Sequence, residues 1–142
     1  MKLTGHAAVD EAPQVVAEWL NLLCDELDWG ERVRAYRLLS ETLHALRDYL
    51  GIDMAAALAA QLPLIIRGIY YTNWNPSETP TRGAQRGKDE FFERVSRAFT
   101  KDPLDDTERA VAAVFSVLRR KLSPGEIDRV RHVMRAPLAD LW

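Results

Sequence analysis

The sequence predicts an all-α protein, a pseudo-symmetric helical bundle made of two repeated units of about four helices each. Three observations predict it. Apolar residues recur at three- and four-residue spacing through most of the 142 residues. The stretches between these stripes carry helix-start and helix-stop chemistry. The second half can be laid on the first at one constant offset of 72 residues. A chain of this length is long enough to bury a core without metals or disulfides, so residues 1–142 are expected to form a single domain. Within it, unit one spans 12–71, a linker spans 72–87 and unit two spans 88–142.

The first stripe is Val15, Val16, Trp19, Leu20, Leu23 and Leu27. Asp28 followed by Glu31 has the spacing of a capping box and is expected to open a second helix, with Tyr36, Leu39, Leu43, Leu46 and Leu50 on one face. Gly51 is placed just past its end. Asp53 is expected to cap a short Ala-rich helix through Met54, Leu58 and Leu62, and Pro63 to start a fourth carrying Leu64, Ile65, Ile66, Ile69 and Tyr70. From Thr72 to Gly87 the periodicity stops among turn residues such as Asn73, Asn75, Pro76, Pro80 and Gly83. It restarts with Phe91, Phe92, Val95 and Phe99, then Val111, Val114, Phe115, Leu118 and Leu122. Ser123-Pro124-Gly125-Glu126 is a capping box with proline at the first helical position, leading into Ile127, Val130 and Met134. Pro137 precedes a last turn ending at Trp142.

At the constant offset Trp19 meets Phe91, Leu20 meets Phe92, Leu23 meets Val95 and Leu27 meets Phe99. Leu39 then meets Val111, Leu43 meets Phe115, Leu46 meets Leu118, Leu50 meets Leu122, Leu58 meets Val130 and Leu62 meets Met134. Any two helices share a period of about 3.6 residues, but a register constant through three helices and two turns is a repeat signature. Each unit is small for a self-sufficient core, so packing the two together is the expected way to close both.

Composition excludes several classes. Hydrophobic residues make up 47% and charged residues 28%, too apolar for a disordered chain. Cys24 is the only cysteine and lies in an apolar stripe, which suits a buried hydrophobe in a reducing cytoplasm. The first residues carry no apolar signal core, so export is not expected. The most apolar stretch, Met54 to Ile66, is broken by Gln61 and Pro63 and is shorter than the roughly 20 residues a membrane span needs. Net charge is −2, divided as −5 up to Thr81 and +3 beyond it. That asymmetry is too small to imply nucleic-acid or membrane binding, but it favours docking of one half, or one molecule, on another.

Several stretches form a pattern: Leu43-His44-Ala45-Leu46-Arg47-Asp48, Ala59-Ala60-Gln61-Leu62-Pro63, Arg67-Gly68-Ile69-Tyr70-Tyr71 with Trp74, and Glu90-Phe91-Phe92-Glu93-Arg94-Val95. Together they resemble the bacterial family known as domain of unknown function 2267, over nearly the whole chain. The resemblance implies an all-helical bacterial protein, usually a duplicated unit, and brings no activity, substrate or cofactor with it. The second half departs from the pattern: Arg135 stands where Pro63 would fall, so whatever Arg67 to Trp74 does is done once.

The candidate site is an interaction surface of Arg67, Tyr70, Tyr71, Trp74, Arg82 and Arg86, since aromatics beside arginines make binding anchors. Its partner would be another protein or a second copy of the chain. The competing reading makes Tyr70 and Trp74 an internal clasp, as large aromatics are mostly buried. Glu41-x-x-His44 with Asp48 has metal-like spacing on a helix face, but the offset partners of Glu41 and His44 are Ala113 and Ser116, and the trio lies opposite the leucine stripe. A solvated face with Arg37–Glu41 and His44–Asp48 pairs is expected there, and no metal. The chain has no nucleophile elbow, phosphate loop or dinucleotide fingerprint, and neither His6 nor His132 has an acid–base partner, so the protein is read as non-enzymatic and without cofactor. Arg119-Arg120-Lys121 with Arg129, Arg131 and Arg135 raises a nucleic-acid alternative, opposed by an acidic pI near 5.9 and the interspersed Glu126 and Asp128. A small-molecule site in a cleft between the halves is a third possibility.

Overall fold

The computed structural model describes residues 2–81, 87–134 and 138–142. Among them are eight α-helices, three short 3₁₀ turns and no strand. The helices are α1 (Ala7–Asp10), α2 (Ala12–Leu27), α3 (Arg32–Tyr49), α4 (Ile52–Ala60), α5 (Leu64–Tyr71), α6 (Lys88–Ser96), α7 (Thr107–Lys121) and α8 (Pro124–Val133). Pro76–Glu78, Arg97–Phe99 and Leu138–Leu141 are the 3₁₀ turns. No helix of the described residues is long and apolar enough to cross a membrane.

Helix α3 is the central element. It packs on α2, α5, α6 and α7, and α2 packs on α7 across the other side. The predicted stripes meet in that space: Trp19 and Leu23 from α2, Leu39, Leu43 and Leu46 from α3, Val111, Phe115 and Leu118 from α7 are all buried, joined by Val95, Phe99 and Tyr70. Phe115 holds the middle, edge-on to Phe91 at 6.3 Å and stacked on the terminal Trp142 at 4.7 Å between ring centres.

Helix ends differ from the sequence expectation where packing decides them. Asp28 does not open α3. It adopts the left-handed conformation (φ 57°) and its N–H donates to the Cys24 carbonyl, ending α2. Aspartate tolerates this conformation because its side chain is short and polar. Glu31 is then the residue before α3, extended and with no side-chain cap. Gly51 stands just before α4, and Asp53 lies inside its first turn without capping it. Tyr36 is 45% exposed, off the buried face. Ala35, Leu38 and Leu39 take the inward places, and one residue along a helix turns the side chain by about 100°. Helix α1 was not expected; it follows a turn in which the N–H groups of Thr4 and Gly5 donate to the Asp10 carboxylate. The Ser123 cap is present, its hydroxyl accepting from the Glu126 N–H at 3.3 Å, and Asp106 caps α7 in the same manner at 3.0 Å.

Ion pairs tie α2 and α3 to α6, α7 and the loop between them. Glu18 pairs with Lys121, Glu26 with Arg120, Asp48 with Arg94, and Arg34 with Asp102. Replacing Phe115 by alanine is expected to cost about 3–5 kcal/mol in urea unfolding, the range for a large buried aromatic. A loss within about 0.5 kcal/mol, typical of surface positions, would show that Phe115 does not organise the core.

Candidate functional site

The most tightly connected polar group of the structure is built at the C-terminal end of α3. Arg47 follows the buried Leu46 and is itself only 3% exposed. Its Nη1 donates to the carbonyls of Tyr70 and Thr72 at 2.9 and 2.8 Å, satisfying the end of α5. Its Nε and Nη2 grip the Asp48 carboxylate at 2.8 and 3.0 Å. Asp48 also accepts from Arg94 of α6 at 2.7 Å, and its main-chain carbonyl accepts from the N–H and hydroxyl of Thr81. Burial opposes ionisation of Asp48, but the hydrogen bonds from Arg47 and Arg94 outweigh it and hold the carboxyl below its ordinary value.

His44 lies one turn before, with Nε2 2.6 Å from the Ile69 carbonyl. A carbonyl only accepts, so Nε2 carries the proton and a second proton would have to go to Nδ1. Burial, followed in smaller measure by the nearby Arg47 and Arg94, keeps the imidazole below its usual value, against the opposing influence of the Ile69 bond and Glu41. The face carrying His44 and Asp48 is therefore half-buried under α5 and α6. The expected His44–Asp48 pair is replaced by these contacts, and Arg37 lies over the Phe99 ring at 5.7 Å with no ion pair to Glu41 among the described residues. Among the described residues no three histidine, cysteine or carboxylate groups gather as a metal site.

Of the aromatic and arginine motif, Tyr70 is buried and Arg67, Tyr71 and Trp74 are partly buried. Arg67 donates to the carbonyls of Ala59 and Leu62, closing the end of α4. Tyr70 is completely buried and its hydroxyl donates to the Ala55 carbonyl at 2.9 Å, so it adds nothing to an exposed face of this chain. Burial pushes its phenol well up. Tyr71 is half-buried between Tyr70 and Trp74, whose Nε1 donates to the Thr79 hydroxyl at 3.1 Å. Arg82 and Arg86 lie outside the described residues, as does Arg135. The structure thus brings Arg67, Tyr70, Tyr71 and Trp74 together as a clasp over the ends of α4 and α5.

Two of the three clustered cations near the end of α7, Arg120 and Lys121, are engaged by Glu26 and Glu18 of α2, while Arg119 and Arg131 stay exposed. Cys24 is buried, its thiol pushed up first by burial and then by Asp25. A polar cleft of about 350 Å³ between α3 and α6 is lined by Asp48, Thr81, Glu78, Glu90, Arg94 and Arg97, of which Asp48 and Arg94 already pair with each other.

A smaller, mainly apolar groove of about 150 Å³ lies where the start of α2 meets the start of α5. Val15 and Val16 of α2, Leu64 and Ile65 of α5, and Ala8 of α1 are among the residues that line it. Leu64 is 47% and Ile65 38% exposed. Sequence reasoning assigned all of Leu64, Ile65 and Ile66 to one helix, yet three consecutive residues span more than half of its circumference, so a single buried face cannot take them all. Ile66, Ile69 and Tyr70 turn inward and leave the other two outside.

A family model described as an uncharacterized conserved protein, DUF2267, matches residues 16–141. No curated protein matches the chain.

Substituting Arg47 by methionine is expected to destabilise the protein by about 3–5 kcal/mol, because the half-buried Asp48 carboxylate and the carbonyls of Tyr70 and Thr72 lose a charged donor. Lysine at the same position, which lacks the planar fork, should recover only part of that loss; full recovery would mean that charge alone matters. Acid should also destabilise the fold in two steps of the same sign. His44, held below its ordinary value of about 6.5, contributes stability that is complete above that value and is lost as pH falls towards its folded value. Asp48 contributes stability present above the ordinary carboxylate range and lost as pH falls below it. In thermal melts His44→Gln should flatten the first step and leave the second; an unchanged profile would remove His44 from the account.

Proposed function

The chain belongs to the DUF2267 family of uncharacterised conserved proteins, and on that footing we propose that it is a non-enzymatic protein of the cytoplasm that works through contacts with protein partners. The observation that carries this reading is the apolar groove between α2 and α5, with Leu64 and Ile65 standing exposed beside it. Exposed apolar side chains grouped around a groove, with one charge in its lining, are what a protein contact uses. The aromatic clasp of Arg67, Tyr70, Tyr71 and Trp74 supports the site from behind, by fixing α5, and does not form the contact itself.

Less supports the two other readings. The nucleic-acid reading rests on cations of which Arg120 and Lys121 already face carboxylates of α2. The small-molecule reading rests on the polar cleft beside Asp48, at the small end of ligand sites of about 300–1,000 Å³ and lined by groups that pair with each other.

We also propose that the two halves derive from one duplicated unit. Leu50 and Leu122, 72 residues apart, are both extended and both donate their N–H to the leucine four residues earlier. Gly51 and Ser123, at the same offset, stand immediately before α4 and α8. Tyr70 corresponds to Trp142, and both close the core.

A photo-crosslinking amino acid at the exposed position 64, in the full chain produced in its own host, tests the contact reading. A discrete adduct to a polypeptide is expected after irradiation, and none from the same probe at exposed position 131. If position 64 gives only the free chain, the groove is not a contact site and the reading falls.

A further inference from the structure

We propose that the occupant of the α2–α5 groove is a second copy of this chain, docking by the exposed start of its α3, so that the protein assembles head to tail. The inference rests on the contact reading above and names its partner. Val33 is 64% and Tyr36 45% exposed, the two largest apolar side chains left outside the core on α3. They are three residues apart and Arg37 follows at four from Val33, so all three share one face of the helix. That face is an apolar ridge with a cation at its side. The groove is its complement: of its lining residues only Glu11 is charged, and the others are alanine, valine, leucine, isoleucine and proline. Among the described residues neither Glu11 nor Arg37 belongs to an ion pair within the chain; the exposed Arg37 guanidinium lies over the Phe99 ring at 5.7 Å, which leaves its charge without a carboxylate of its own chain and Glu11 without a cation. The neighbouring Arg32 is less available, its Nε being held by Asn21 at 2.9 Å.

Ridge and groove cannot meet within one molecule. The groove lies at the start of α2 and the ridge just after its end, and the 16 residues of α2 put about 24 Å between them. Two different patches joined between copies make a heterologous contact, which propagates unless its rotation closes a ring. The joint is an amphipathic helix face laid in an apolar groove, with an i, i+3 pair of anchors.

Sedimentation velocity of the purified full chain tests this. The weight-average mass is expected to rise with concentration above that of two 16.1 kDa chains. Tyr36→Glu destroys the ridge and Ile65→Glu the groove wall; both positions are exposed, so each variant should keep its helical circular dichroism and melting temperature but sediment as a monomer. An equimolar mixture of the two retains one intact ridge and one intact groove. It should form a two-chain particle and nothing larger, which no contact of a patch with itself would do. Should either variant lose its fold, Glu11→Arg and Arg37→Glu replace them: each alone should weaken assembly by about fivefold, and the two together in one chain should restore it. A wild-type chain that stays monomeric, assembly that survives Tyr36→Glu, or a mixture that remains monomeric overturns the proposal. The contact reading is judged separately: an adduct from position 64 to a different polypeptide preserves it while self-assembly fails, and no adduct at all ends both.

Discussion

Arg47 is the interaction on which the arrangement of this protein turns. A guanidinium buried on α3 would be prohibitive alone, and it is tolerated because all but one of its donors are used, on two carbonyls and a carboxylate. Those bonds fix three other pieces. The carbonyls belong to the end of α5, so the direction of α5 is set from α3. The carboxylate is Asp48, whose free lone pairs draw in Arg94 and with it α6. The Asp48 main chain receives Thr81, which sets the path of the chain leaving the first four large helices. A hydrophobic core of leucines is permissive about the angles at which its helices lie, whereas a planar fork with directional bonds is not.

The charge split between the halves acts mainly within the molecule. Three ion pairs set an acid of α2 or α3 against a cation of α6 or α7. The Glu18, Glu26, Arg120 and Lys121 pairs are partly solvated and contribute little each. Their effect is on register, since like charges would oppose any other alignment of α2 on α7. The same pairing explains why a run of Arg119, Arg120 and Lys121 is a poor guide to phosphate binding. A basic run in a sequence does not say which of its members faces a carboxylate of the same fold.

The elements easiest to read from sequence are those whose residues are set by one requirement. In α2 and α7 the apolar stripe alone fixes which side is buried, and at Ser123 the cap, the proline and Glu126 all agree. Reading failed where two requirements competed. Asp28 has cap chemistry, but α2 needs Leu27 inside the core, so the helix runs one residue on and Asp28 ends it. The face of Glu41, His44 and Asp48 reads as solvated because charged residues are assigned to the surface by default; only the positions of α5 and α6, a tertiary fact, make the partial burial of His44 and Asp48 favourable. The Arg67 to Trp74 motif was legible as a motif, with an internal clasp as one of its two readings; the partners were not, because Arg67 and Tyr70 bond main-chain carbonyls of Ala59, Leu62 and Ala55, which leave no trace in side-chain pattern. The signal for the groove was present in Leu64-Ile65-Ile66, a run too wide for one helix face.

An eight-residue helix is unstable on its own, since nucleation is costly and few bonds propagate it. Helix α5 is therefore ordered entirely by its surroundings: Ile66, Ile69 and Tyr70 bury its inner face, Arg67 bonds back to α4 near its middle, and Arg47 and His44 hold its final carbonyls. None of these supports involves Leu64 or Ile65. The outward face has no part in holding the helix, and polar residues there would leave every one of those bonds intact. An apolar pair on so firm a mount, beside a groove lined by Val15 and Val16, has no part in holding its own helix, and that is what the proposed contact draws on. Because the mount is already fixed before contact, docking there loses little conformational entropy beyond that of the two side chains themselves. That is the physical reason the proposed docking of a helix face asks no more than a groove of about 150 Å³.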